Sequence, residues 1–445
     1  MAEGARETAR STAGAPPTAD LAARELGANR APDANHASRA NHGPHERGAQ
    51  HTLRNSGTPG PVVLPPNQLS RFYRGGPRID RLRGAPTVGR APTGAAAPTG
   101  AAAPTGGPIP TGASNPTGAA TPTGAATPTG AAGPAGGPED WVGSTTTALG
   151  SEHEGLSRLP DGRYLRDAVE QDPNGFLGTE HVERWGSNPG LLVKLLDAGE
   201  RLPVHFHPGR AFAGRELGLA FGKTEAWIIV EAEPDAVVHL GLKAPVDRPT
   251  LARWVRDQDA QSMLAAMHEL AVRPGTALFV PAGTLHAIGA GILLVELQEP
   301  TDLSVVLEWE RFAVSDGSET LGLGWERILE AADVHSARIE DLLVQSRGDA
   351  PEKAVTDLLP TSAAPYFRAQ QIDAQGDPVH LEPSFSILVV LDGWVKVWSE
   401  SADPLDLRGG QTALIPYAAG RTTLDGHAGV IRCLPPAPDV GAGKW

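Results

Sequence analysis

The segment LPVHFHPGRAFAGRELGLAFGKTEAWIIVE (residues 202–231) carries two histidines two residues apart and then a glutamate before an apolar run. Residues two apart in a β-strand point to the same face, so His205 and His207 share a face while Phe206 points away. Glu225 begins a run in which an unpaired buried carboxylate would be costly. The segment therefore predicts a polar site inside a β-structure.

A third histidine follows in VRPGTALFVPAGTLHAIGAGILLVELQ (272–298). His286 comes just after a Pro-Ala-Gly turn between two predicted strands, where the turn can close against a ligand. Three imidazoles and one carboxylate suit zinc, manganese, iron or nickel, and the set alone does not choose among them. Isolated histidines in such runs are more often packed side chains, and we interpret His239 and His268 in that way.

Short β-rich runs separated by turn residues dominate the chain after residue 190, which predicts a mainly β fold of the jelly-roll type. The predicted strands are 191–198, 226–232, 236–242, 277–281, 292–298 and 303–310. One helical pattern interrupts them at 249–272, where Pro249 suits a first helical turn. A second group of strands lies between residues 385 and 435.

Composition limits the kind of partner. The 445 residues carry a net charge of −14, which argues against nucleic acid or an anionic membrane as the main partner. No apolar run is long enough to span a membrane, and the N-terminus has no apolar core like that of a signal peptide, so we predict a cytoplasmic protein. Cys433 is the single cysteine, which excludes an intramolecular disulfide.

Two segments are too poor in large apolar side chains to offset the entropy of ordering. We predict a disordered tail over residues 1–60 and a low-complexity insertion of Pro, Thr, Gly and Ala over 85–137. Residues 62–84, between them, contain aromatic and apolar side chains and predict the start of the folded part.

The two histidine motifs resemble the signatures of the cupin family. The second has Gly275, five residues, Pro281, Ala282 and Gly283, two residues, and His286. More specifically, GKTEAW (222–227), PAGTLHAIGAGILLVELQ (281–298) and PEDWVGS (138–144) resemble class I mannose-6-phosphate isomerases, in their short bacterial form. The resemblance covers residues 138–311 well, and 62–84 and 366–435 weakly.

This resemblance implies two cupin-type jelly-roll β-barrels and a metal-dependent aldose–ketose isomerase that interconverts mannose 6-phosphate and fructose 6-phosphate through an enediol(ate). It implies one Zn²⁺ per chain, with manganese or iron as other options. The implied metal ligands are His205, His207, Glu225 and His286. The implied catalytic residues are Arg311, Lys194 and Glu296. The implied partner is a small sugar phosphate.

The second β-rich region repeats the cupin spacing between Gly410 and Pro416, but Arg421 stands near the place of the histidine. We therefore predict that this barrel holds no metal. The expected domains are a metal-binding barrel with the helical insert (138–312), a helical linker (313–365) and a metal-free barrel (366–436).

Some alternatives stay open. The family usually has glutamine where His205 stands and acidic residues where Gly209 and Arg210 stand, so the exact sugar is not decided. A non-catalytic sugar-binding regulator, or a cupin enzyme acting on another substrate, would use a similar barrel. The proton-transfer base and the oligomeric state are also left open by the sequence.

Overall fold

The computed structural model describes residues 59–84, 137–312, 314, 317–346 and 354–438. Apart from their last residues, the predicted disordered tail over 1–60 and the predicted insertion over 85–137 lie outside the described residues. Within the described ranges, none of the helices has the length and apolar character needed to cross a membrane.

The strands up to the end of the first barrel are β1 (Val62–Leu64), β2 (Gln68–Leu69), β3 (Glu139–Val142), β4 (Leu192–Ala198), β5 (His205–Phe206), β6 (Glu225–Ala232), β7 (Val237–Leu242), β8 (Met267–Ala271), β9 (Thr276–Val280), β10 (His286–Ile288), β11 (Ile292–Gln298) and β12 (Val305–Val306). The later strands are β13 (Leu343–Ser346), β14 (Val355–Asp357), β15 (Arg368–Gln375), β16 (Val379–Leu381), β17 (Ser386–Val390), β18 (Trp394–Ser399), β19 (Leu405–Arg408), β20 (Thr412–Ile415) and β21 (Thr422–Leu434).

The helices are short and lie between the strands. They are α1 (Arg78–Leu82), α2 (Leu165–Gln171), α3 (Pro173–Leu177), α4 (Thr179–Trp185), α5 (Arg210–Phe212), α6 (Arg248–Arg256), α7 (Ala260–Ala266), α8 (Trp325–Ile328) and α9 (Ile339–Leu342). A π-helical turn at Ala213–Leu217 extends α5, and 3-10 turns occur at Ser318–Thr320, Leu329–Ala331, Thr361–Ala363 and Tyr417–Ala419.

The first barrel is a sandwich of two antiparallel sheets. One has the order β13-β9-β6-β11-β4-β3-β2, and the other has the order β12-β5-β10-β7-β8. Alternate side chains of both sheets, such as Trp227, Leu294, Leu240 and Ile288, meet in one core. The outer face of the five-stranded sheet is covered by α6 and α7. The site described below lies between the two sheets.

The second barrel is a strongly bent nine-stranded sheet with the path β1-β20-β17-β21-β15-β14. Its long strand β21 also pairs with β16 and β18, which closes the sheet around a second interior. The seven-stranded sheet of the first barrel packs its other face against this sheet, and Val295, Phe279, Phe385 and Ile431 belong to the shared core. The predicted mainly β fold with two cupin-type barrels is confirmed.

The predicted helix over 249–272 is wrong in its last part. A helix break at Gln258, whose φ is 48°, separates α6 from α7, and Asp259 caps α7 by accepting a hydrogen bond from the Ser262 amide. Residues 267–271 then form β8, because their alternating side chains let them pair along β7 at the sheet edge.

The predicted linker over 313–365 is more than a helical connection. It contributes β13 to the first barrel and β14 to the second. The second barrel also extends beyond 366–436, because β1 from the start of the folded part pairs with β20. These strands are three or four residues long, too short for a clear periodic signal in the sequence.

Candidate metal centre

Two neighbouring strands of the five-stranded sheet and strand β6 of the facing sheet bring the four predicted ligands together. His205 on β5 lies directly opposite His286 on β10 in the strand register. His207 follows β5, and Glu225 begins β6 on the other side of the barrel. Trp227, two residues after Glu225, packs edge-on against the His286 ring at 5.3 Å between centroids.

The ring nitrogens of His205, His207 and His286 lie within 4.8 Å of one another. Glu225 joins them, with one carboxylate oxygen 3.1 Å from His207 Nε2 and the other 3.8 Å from His286 Nε2. All four side chains are buried. The structure therefore gathers the ligand set that the two motifs predict.

Each imidazole is held in the tautomer that a metal needs. The Nδ1 atoms of His205, His207 and His286 lie 2.7–2.8 Å from the backbone carbonyls of residues 203, 303 and 284. A carbonyl can only accept, so each Nδ1 carries the proton and each Nε2 keeps its lone pair. The Nε2 atom of His286 is buried without a hydrogen-bond partner. This orphaned acceptor is what a divalent cation would satisfy.

The pKa shifts of the four predicted ligands also favour the forms that bind a cation. Burial and the neighbouring imidazoles lower the pKa of His286 to about 3, and burial lowers the pKa of His205 and His207 as well. Burial opposes ionisation of Glu225, but His207 and Lys223 outweigh it and hold the Glu225 pKa well below its usual range. Three neutral imidazoles and one carboxylate are a ligand set that suits zinc.

Lys223 is a site residue that sequence reasoning missed. Its ammonium lies 2.8 Å from Glu225 and 3.3 Å from His207 Nε2, so it is in contact with two of the four ligands. The signal was available, because Lys223 stands two residues before Glu225 in GKTEAW and residues so spaced share a face of an extended chain.

Lys194 and Glu296, on the paired strands β4 and β11, line the same pocket. The Lys194 ammonium is 3.1 Å from Glu296 and 3.5 Å from Glu139, and all three side chains are buried. Burial alone would lower the pKa of Lys194, but the two carboxylates raise it above its usual value. Burial, reinforced by the charge of Glu225, raises the pKa of Glu296 to about 7.

Glu139 is fixed from several sides. It accepts hydrogen bonds from Tyr73 Oη at 2.6 Å and Trp141 Nε1 at 2.7 Å, and Arg71 lies 3.3 Å away. These charges and donors keep the pKa of Glu139 low although burial would raise it. No local pattern predicts the contact between Glu139 and Tyr73, because 66 residues and the whole repeat separate them.

The pocket between these groups is small, with a volume of about 30 Å³. It is lined by the buried ion-pair network, by His205, Lys223 and Glu225, and by Phe72 and Ser304. This is space for about one water molecule.

Arg311 is not brought to this pocket, contrary to the resemblance. Its side chain is 71% exposed, and it lies 3.7 Å from Glu308. It lines a separate depression together with His239. His239 lies on the outer face of the five-stranded sheet, since Ala287, its partner on the neighbouring strand, packs against α6 and α7 on that face. Glu308 itself is held by Arg201 through paired contacts of 2.7 and 2.8 Å.

Arg210 stands where the family pattern has an acidic residue, and it contacts a buried carboxylate next to the ligand cluster. It forms a close ion pair with the fully buried Glu299, whose other oxygen accepts a hydrogen bond from the Thr224 amide at 3.0 Å. Its guanidinium also lies over the Tyr366 ring at 4.4 Å. Arg210 thus connects the segment after His207 to the residue before Glu225.

A β-barrel that aims three histidines and a glutamate into its interior defines a metal-binding cupin. No family model matches the sequence. The chain is 27% identical over 290 residues to the mannose-6-phosphate isomerase ManA of Bacillus subtilis, a match that covers 63% of this chain and 86% of that protein.

Solved structures agree in fold. The crystal structure of the mannose 6-phosphate isomerase from Bacillus subtilis has a TM-score of 0.58 at 19% identity and covers 84% of this chain and 99% of that one. A mannose 6-phosphate isomerase bound with zinc and yttrium has a TM-score of 0.54 at 15% identity, with coverages of 68% and 92%. In sequence and in fold the chain is thus similar to mannose-6-phosphate isomerases.

Proposed function

We propose that this protein is a metal-dependent aldose–ketose isomerase that interconverts mannose 6-phosphate and fructose 6-phosphate. The observation that carries the proposal is the buried cluster of three neutral imidazoles and Glu225 beside the Lys194–Glu296 pair. The substrate is that of the related enzymes, as their names give it. The two alternatives, a sugar-binding regulator and a cupin with another substrate, are not favoured by these relatives.

The reaction moves hydrogen within one sugar and needs no external oxidant or reductant. A base removes the proton from C2 of the open-chain aldose, which gives an enediolate shared by C1 and C2. A proton is then delivered to C1, while the hydroxyl proton passes from the C2 oxygen to the C1 oxygen. The difficult part is the first step, because the carbon is a weak acid.

His205, His207, Glu225 and His286 would hold one divalent ion per chain. Zinc fits the histidine-rich set, and a related structure contains it. When bound, such an ion supplies a Lewis acid that stabilises negative charge on the sugar oxygens. The second barrel would hold none, because Arg421 takes the place near which a histidine ligand would stand.

Glu296 is the best-placed base. A carboxyl group with a pKa near neutrality is ionised in part at neutral pH and still basic enough to take a proton from carbon. Its Oε1 atom lies 3.1 Å from the Lys194 ammonium but has no hydrogen-bond partner. This oxygen can therefore accept a proton from the substrate. Lys194 and Lys223 then provide positive charge where the enediolate carries negative charge.

The test is conversion of mannose 6-phosphate by metal-loaded protein, with unphosphorylated mannose as the comparison substrate. We expect fructose 6-phosphate to form, and Glu296→Gln to lower kcat by about 100-fold or more. A loaded protein that binds the sugar phosphate without converting it would support the regulator instead. We place the reaction in the cytoplasm, which fractionation of the producing cells would check.

A further inference from the structure

The second barrel repeats the strand register of the first around its mouth. In the first barrel Glu225 lies opposite Val280, the residue before the proline of the cupin turn. In the second barrel Ser386 lies opposite Ile415, the residue before Pro416 in the matching turn. Ser386 therefore stands at the position of a predicted metal ligand.

The correspondence continues along the neighbouring strands. Glu296 pairs with Lys194 across β11 and β4 in the first barrel, and Arg432 pairs with Gln370 across β21 and β15 in the second. In the second barrel Arg432 thus stands at the position of the predicted base Glu296. Two neutral residues, Gln370 and Ser386, stand at the positions of Lys194 and Glu225. We call Arg432, Gln370 and Ser386 the second-mouth cluster.

Arg432 is buried, at 6% exposure, among neutral hydrogen-bond acceptors. It donates to Ser386 Oγ at 3.3 Å, to Gln370 Oε1 at 3.5 Å and to the Glu382 backbone carbonyl at 3.0 Å. No carboxylate forms an ion pair with Arg432 in the part of the chain that the structure describes. The Glu382 carboxylate instead faces Arg421, at 3.2 Å.

The hydrogen-bond partners of Arg432 carry no negative charge, although the Gln370 amide donates to the Asp357 carboxylate at 3.1 Å. Burial, with a smaller effect of the nearby Arg368, lowers the pKa of Arg432 to about 10. Burying an unpaired charge is costly, and a small anion would relieve that cost. The planar guanidinium offers paired donors that match a carboxylate or a phosphate.

From the repeated register and the unbalanced buried guanidinium, we propose that the second-mouth cluster binds a small oxyanion, either a phosphate or a carboxylate. Arg432 would hold two of its oxygens, and the Ser386 hydroxyl and the Gln370 amide would turn to donate to it. The site would be separate from the metal centre and independent of the isomerase reaction.

The test places a carboxylate beside Arg432 within the chain. In Gln370→Glu the new group lies where the amide oxygen now is, 3.5 Å from the guanidinium, so it would compete with an external anion. Gln371→Glu makes the same charge change one residue along, on the opposite face of β15, and serves as the matched control. The three metal-loaded full-length proteins are titrated with inorganic phosphate and, separately, with acetate by calorimetry.

We expect one of the two anions to bind the parent and Gln371→Glu equally, and Gln370→Glu more than about tenfold more weakly. Circular dichroism confirms that all three are folded. Equal affinity in all three proteins, or no binding of either anion to the parent, would overturn the proposal. Phosphate bound in the metal centre does not distinguish the two variants, so it cannot imitate the expected result.

Discussion

At the residue scale, the metal centre depends on where each histidine points. His286 faces the barrel interior, whereas His239, on the neighbouring strand β7, faces the other side of the same sheet. We predict that His286→Ala loses most of its bound metal, because it removes one of four buried ligands from a cluster whose other members are fixed in place by their strands and backbone contacts. Elemental analysis of the purified variant measures this.

His239→Ala is the control for that variant, since it removes an imidazole from the other face of the same sheet. It should keep its metal. If the two variants lost equal amounts of metal, the ligand set would be wrong.

The charge of Lys194 sets the pH range in which Glu296 can act as a base. The ammonium favours the ionised carboxylate, so Lys194→Met raises the pKa of Glu296 further. Because the base has to be deprotonated, kcat/KM rises as pH passes upward through this pKa. We therefore predict that the acid limb of kcat/KM moves to higher pH in Lys194→Met.

Full pH profiles of the metal-loaded proteins measure this shift. Lys243→Met removes an exposed lysine outside the pocket and should leave the limb in place. An unchanged limb in Lys194→Met would show that another group is the base.

At the element scale, the segment after β5 and the start of β6 are joined through Arg210 and Glu299. Arg210→Gln leaves the Glu299 carboxylate buried without its cation. Such a loss destabilises a protein by about 3 kcal/mol. We expect denaturant unfolding to show a loss of that order, together with weaker metal binding, because Thr224 next to Glu225 shares the same carboxylate.

Arg215→Gln, in the π-helical turn that follows α5, is the matched control. Its guanidinium is exposed, and its partner Glu216 keeps a second ion pair with Arg327, so the loss of Arg215 leaves that carboxylate paired. A loss of stability as large as that of Arg210→Gln would contradict the role given to Arg210.

Much of this arrangement could be predicted from the sequence. The spacing of His205 and His207, and the turn before His286, follow from strand alternation and local turn chemistry. Long apolar strands such as β4, β6 and β11 were also evident, because they are buried on both faces and read as continuous runs.

Other features depended on contacts that no local pattern records. The strand β1 joins a sheet whose other members lie some 300 residues later, and Glu139 meets Tyr73 across the repeat. That Arg311 lies outside the pocket could not be predicted, because a motif match gives a residue's place in the chain and not the direction of its side chain. The sequence offered no reason for an arginine at position 210, and the structure shows that it pairs with the buried Glu299.

At the scale of the whole molecule, the two barrels share one apolar core, to which Phe279 of the first and Phe385 of the second both contribute. Neither sheet can lose its partner without exposing this core to water. We predict that the two barrels unfold in a single transition, and that Phe385→Ala, although it lies in the second barrel, lowers the melting temperature of both.

Calorimetry, with tryptophan fluorescence as the second probe, tests this. The buried Trp141 and Trp227 of the first barrel report its unfolding. Two separated transitions, of which Phe385→Ala shifts one, would show that the barrels are independent.

Under the proposed function, isomerisation of mannose 6-phosphate requires one divalent ion at His205, His207, Glu225 and His286. The direct measurement is titration of chelator-treated protein with Zn²⁺, with fructose 6-phosphate formation followed at each addition. We predict negligible turnover without metal and a rise that ends at about one equivalent per chain, as expected for a single four-ligand site. Undiminished turnover in the metal-free protein, or a rise that continues to two equivalents, would contradict it.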